Sequence, residues 1–83
     1  MEEQILQILK DIQPGFDFEE DVDFVENGYL DSFDVVTLVA ELESAFSVVI
    51  SALEIVPENF SSVKNISALV QRSPKSSKRA EQE

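Results

Sequence analysis

Apolar positions recur with helical spacing in three stretches of the chain. In residues 2–13, Ile5, Leu6, Ile8, Leu9 and Ile12 fall at i, i+3, i+4 and i+7 spacing, which predicts an amphipathic helix with one buried stripe. Glu2 and Glu3 lie in its first turn, where the helix dipole favours negative charge, and Pro14-Gly15 stops it. Residues 32–46 predict the strongest helix, with Val35, Leu38, Val39, Leu42 and Phe46 along one face. Phe33, Val36 and Ala40 form a second apolar stripe that burying one face does not require. Either Asp31 or Ser32 can cap this helix, and Asp34 adds charge to its first turn. A third helix starts from Ser62 as N-cap and runs through Val63, Ile66, Leu69 and Val70 to about Gln71.

The connections carry information of their own. Residues 14–31 are dense in acids yet interleaved with Phe16, Phe18, Val22, Phe24, Val25, Tyr29 and Leu30, so this long loop is expected to pack down on the core. Asn27-Gly28 marks a turn just before the second helix. Val48-Val49-Ile50 has strand character, but three residues without a partner strand cannot satisfy their backbone groups. An extended loop with Val48 and Ile50 inward is the expectation, followed by a helical turn over residues 51–56 that ends near Pro57. From Ser73 the chain loses its large apolar residues and predicts a disordered tail. The expected architecture is an all-α bundle of three to four helices over residues 1–72, with a tail over 73–83.

Composition limits the chemistry. The 83 residues make one small domain, with a thin core built from the 43% of residues that are hydrophobic. Cys and His are both absent, which excludes disulfides, Cys/His zinc sites, thiolate nucleophiles and an imidazole base. Reactive chemistry must then be brought from outside, and a stand-alone enzyme is not expected. Residues 1–72 hold fifteen acids and three bases, a net of −12. Such a surface repels nucleic-acid phosphates and steers toward basic patches on protein partners. The start Met1-Glu2-Glu3 lacks the basic region of a signal peptide, and no apolar run approaches the ~20 residues that span a bilayer. A soluble, cytoplasmic monomer is the default expectation.

Two motifs stand out. The acidic run Asp17-Phe18-Glu19-Glu20-Asp21-Val22-Asp23 invites a calcium reading, but an EF-hand loop needs Gly at its sixth position and Glu at its twelfth. Counting from Asp17 gives Val22 and Gly28, and counting from Asp21 gives Glu26 and Ser32, so a solvated acidic loop is expected and no metal site. The second motif is Asn27-Gly28-Tyr29-Leu30-Asp31-Ser32-Phe33. A serine that opens a helix after a turn is exposed among unpaired backbone N–H groups, which favour a phosphate ester there. The commonest use of serine in this context, however, is simply to cap the helix, and the residues by themselves favour that reading.

Leu30-Asp31-Ser32-Phe33, followed by Leu38, Leu42-Glu43, Phe46, Val48 and Ile50, resembles the phosphopantetheine-attachment segment of acyl carrier proteins. The likeness continues over about twenty residues and extends to the Phe60-Ser61-Ser62-Val63 entry of the last helix. It implies that Ser32 receives a covalent 4′-phosphopantetheine arm from coenzyme A, transferred by a phosphopantetheinyl transferase. Asp31 would hold magnesium during that transfer, and the arm's thiol would carry an acyl or aminoacyl thioester. Phe33, Val36 and Ala40 would form the surface for partner enzymes, with Asp34, Glu41 and Glu43 as acidic rim. The implied partners are the transferase, an acyl- or aminoacyl-loading ligase and downstream acyltransferases, in lipid, secondary-metabolite or cell-wall chemistry. Leu-Asp-Ser-Phe is similar to the motif of D-alanyl carriers, a dedicated member of the same class, and also to that of stand-alone carriers encoded with amino-acid or acyl ligases. The alternative from another class is an unmodified acidic adaptor in which Ser32 only caps its helix.

Overall fold

A computed structural model of the chain describes residues 1–76, in which three α-helices pack around one core: α1 (Glu2–Ile12), α2 (Ser32–Phe46) and α3 (Val63–Arg72). The helical spacing accounts for what each one buries. α1 places Ile5 and Leu9 in the core with Leu6, Ile8 and Ile12 at its margin, and it ends where Gln13 precedes Pro14. α2 buries Leu38, Val39 and Leu42, with Val35 and Phe46 half-buried on the same side. α3 buries Ile66, Leu69 and Val70 and starts at Ser62, whose hydroxyl accepts from the Asn65 amide at 3.0 Å. That oxygen satisfies one of the donors a helix start leaves open.

The long acidic connection is folded down by its aromatic residues, as their interleaving predicts. Phe18, Phe24 and Leu30 are buried. Phe18 meets Phe24 edge-on at 5.0 Å and Tyr29 edge-on at 5.7 Å, while Phe16 stacks on Tyr29 at 4.5 Å. Such pairs add about 0.5–1.5 kcal/mol each beyond the area they bury. The acids serve as local turn formers: Asp23 Oδ1 accepts from the Val25 and Glu26 amides at 3.0 and 2.9 Å. The Phe24 carbonyl accepts from both Tyr29 and Leu30, and the Phe24 amide donates to Ser61 at the entry to α3. Gly28 turns the chain with φ 79°, a left-handed value that costs glycine nothing. No group of three or more acidic side chains that could hold a metal ion occurs among the described residues.

Three expectations change. The single turn over residues 51–56 is two 3₁₀ turns, Ala52–Glu54 and Pro57–Phe60. Pro57 opens the second instead of closing the first, because its fixed φ suits a first helical position. Val48 and Ile50 are buried and Val49 is exposed, as the alternation predicts, but the segment is not partnerless. Val48 bridges Lys75 in antiparallel fashion, the Val49 amide donates to the Pro74 carbonyl at 2.8 Å, and the Ser76 amide donates to the Ser47 carbonyl at 2.8 Å. Residues 73–76, read from composition as the start of a disordered tail, are therefore hydrogen-bonded to the body of the fold. The rest of that predicted tail, 77–83, lies outside the described residues. No helix among the described residues is long and apolar enough to cross a membrane.

Candidate functional site

The turn ending in Leu30 delivers two exposed residues, Asp31 and Ser32, to the start of α2. Leu30 is 1% exposed and anchors the turn in the core, so the next residues emerge at the surface. Asp31 has extended backbone (φ −102°, ψ −173°) and is the N-cap. Its Oδ1 accepts from the Asp34 amide at 2.9 Å, and Asp34 Oδ2 accepts in return from the Asp31 amide at 3.2 Å. This is a reciprocal capping box, with an aspartate at the third helical position where glutamate is more usual. Gln13, at the end of α1, donates through Nε2 to the same Asp34 oxygen at 2.9 Å and ties the two helices together.

This arrangement bears on the cap reading of Ser32. The cap belongs to Asp31, and Ser32 is the first residue inside the helix, exposed and with no capping duty. The Asp34 and Val35 amides are taken by Asp31 Oδ1 and the Asp31 carbonyl, whereas the Ser32 and Phe33 amides have no partner among the described residues. A phosphate ester on Ser32 Oγ would sit beside two free donors at the positive end of a fifteen-residue helix. Asp31 Oδ2 is not used in the cap and is available to a cation.

An open, mostly apolar groove of about 530 Å³ runs from Ser32 along α2. Val25, Gly28 and Leu30 line it from the connection before α2, Val35 and Val36 line it from α2, and Ile55, Val56 and Pro57 line it from where the first 3₁₀ turn passes into the second. Sequence reasoning missed this last part of the lining, because nothing in the spacing shows that residues 55–57 return to α2.

The second stripe of α2 faces outward. Phe33 is 83% exposed, Val36 is 65% exposed and Ala40 is exposed. Leu53, absent from the expected set, is 89% exposed in the first 3₁₀ turn. The acidic rim is thinner than expected. Glu41 is exposed, but Asp34 is held in the capping box and by Gln13. Glu43 is half-buried and its Oε2 accepts from the Ile50 amide at 2.9 Å, which fixes the turn after α2. Two of the three rim acids thus have structural work that their sequence positions did not disclose.

Comparison with known proteins agrees with this geometry. The family model described as "Phosphopantetheine attachment site" matches residues 3–71. The D-alanyl carrier protein of Lactococcus lactis subsp. cremoris (strain MG1363) is 37% identical over 73 residues, covering 86% of this chain and 92% of that protein. The protein of that name from Lactococcus lactis subsp. lactis (strain IL1403) is 36% identical over the same coverage. No solved structure matches the chain significantly. The all-α bundle, the helix-initial serine and these matches lead to one conclusion: the chain belongs to the phosphopantetheine attachment-site family and is a carrier protein, with a covalent 4′-phosphopantetheine arm as its cofactor.

Proposed function

We propose that Ser32 is the attachment point of the arm and that the cargo is an aminoacyl group, D-alanine, carried as a thioester on the arm's terminal thiol. The observation that carries the first part is the capping box: because Asp31 is the cap, the Ser32 hydroxyl is free, exposed and set beside two unpaired amides. In the transfer, Ser32 Oγ attacks the phosphorus that bears the pantetheine in coenzyme A. The new bond is Oγ–P, the pyrophosphate P–O bond breaks, adenosine 3′,5′-bisphosphate leaves, and the hydroxyl proton passes to a base of the transferase. Asp31 Oδ2 supplies a ligand to magnesium during this step. The protein's own part is to present the hydroxyl; it is a substrate and shuttle for partner enzymes and not a catalyst. Coenzyme A is the donor, so the modification takes place in the cytoplasm.

The cargo assignment rests on the relatives' name and on Asp31-Ser32-Phe33, where fatty-acid-type carriers usually have Leu after the serine. Phe33, Val36 and Ala40, with Glu41 beside them, form the face that a transferase and an ATP-dependent loading ligase approach. Apolar side chains at the centre of such a contact are where binding energy concentrates. The test is a loading assay with a D-alanine-activating ligase, ATP and the armed protein. D-alanine should appear as a hydroxylamine-sensitive adduct, absent from Ser32→Ala. Loading of a long-chain acyl group in preference to D-alanine would overturn the cargo assignment.

A further inference from the structure

The segment after α3 lies outside the matched family region, which ends at residue 71. It turns back across the end of α2 and makes three contacts there. Val49 N donates to Pro74 O and Ser76 N donates to Ser47 O, each at 2.8 Å, and Lys75 Nζ reaches the Phe46 carbonyl at 3.4 Å. Two of them meet a need of α2. Its last turn has no basic residue, so the ammonium of Lys75 supplies from another part of the chain the positive charge that a helix C-terminus favours. Its C-cap, Ser47, has φ 54° and ψ 51°, a left-handed conformation that a non-glycine residue holds only when its surroundings enforce it. The Ser47 carbonyl is the group that Ser76 grips.

We infer that residues 73–76 form a clasp that fastens the C-terminal end of α2 to the end of α3. α2 is then fixed at both ends: by Gln13 and the capping box near Ser32, and by the clasp about 21 Å away along the helix axis. The clasp is local, so opening it should loosen residues 46–49 and leave the Ser32 end undisturbed. Val48, 3% exposed beneath the bridge, is the side chain that opening would uncover.

Three proteins test this: the full chain, a chain ending at Arg72, and the full-length Ser76→Pro variant. The proline removes the Ser76 N–H and still favours extended backbone at Lys75. The readouts are thermal melting, amide exchange resolved by residue, and arm transfer to Ser32 from coenzyme A. Truncation should lower Tm on the order of 5 °C. Exchange at residues 46–49 should accelerate on the order of tenfold, while α1 amides change little. Ser76→Pro should show part of both effects, and arm transfer should be unchanged. Equal Tm and equal exchange at residues 46–49 in all three proteins would overturn the clasp, as would acceleration spread uniformly over the helices. Loss of arm transfer in the full chain would instead count against Ser32 as the attachment point.

Discussion

Leu42 and Val36 lie on the same helix, six residues apart, and should lose very different amounts of stability on the same truncation. Leu42 is 0% exposed among the core residues, so Leu42→Ala removes buried methyl groups and leaves a cavity that the helices can only partly close, at about 2–5 kcal/mol. For 76 described residues, total stability on the order of 4–11 kcal/mol is typical, so this one change can take half of it. At about 4–8 °C per kcal/mol, Tm should fall by at least roughly 8 °C. Val36 is 65% exposed on the open groove. Two carbons at about 0.8 kcal/mol each when fully buried, scaled to the third that is covered, give about 0.5 kcal/mol with no cavity term. That corresponds to a fall of about 2–4 °C. Thermal melts of both variants, paired with cargo-loading rates on the armed protein, separate core from docking face. Val36→Ala should load more slowly at a near-native Tm. A Tm loss for Val36→Ala equal to that for Leu42→Ala would mean that the second stripe is core and that the docking face has been misplaced.

Two further outcomes follow from the caps and the charges. Asn is as good an N-cap as Asp but carries no charge, so Asp31→Asn should melt within about 0.5 kcal/mol of the parent while its magnesium-dependent arm transfer slows; normal transfer would remove Asp31 from the metal-holding role. The Arg72 guanidinium, donating to Glu54 at 2.9 Å, holds that carboxyl below the usual range despite some desolvation. The pair therefore stabilises fully above the ordinary Glu pKa of about 4.3 and loses its effect as pH falls through the lower folded value. The Tm deficit of Arg72→Gln should be largest near neutrality and should narrow in acid, leaving the share due to the Arg72–Asn59 hydrogen bond; a deficit that widens in acid would contradict the assignment.

The parts of this fold that are legible in the sequence are those whose energy comes from apolar side chains at helical spacing. α1, α2 and α3 follow from Ile5 and Leu9, from Leu38 and Leu42, and from Ile66 and Leu69, because burying a stripe leaves a period in the sequence. Asp31 and Ser32 both suit a cap by composition, and only the backbone dihedrals at Asp31 separate cap from first helical residue. What stayed illegible is held by backbone groups or by single polar atoms. Residues 73–76 bind through main-chain hydrogen bonds, which any residue with an N–H and a carbonyl can make, so their polar side chains read as a tail. Asp34 and Glu43 look like surface charge until Gln13 and the Ile50 amide are seen to take their oxygens. The groove lining of Ile55, Val56 and Pro57 depends on how two 3₁₀ turns return to α2, a long-range placement that no local pattern encodes.

The most direct test of the carrier reading is the intact mass of the protein after incubation with coenzyme A, magnesium and a phosphopantetheinyl transferase of broad specificity. The wild-type chain should gain the mass of one arm, fragmentation should place it on Ser32, and Ser32→Ala should gain nothing. Because Asp31 keeps the cap, Ser32→Ala should also melt close to wild type, so a missing arm cannot be blamed on a lost fold. An arm on folded Ser32→Ala, or none on the wild type, would contradict the assignment of Ser32 as the attachment point.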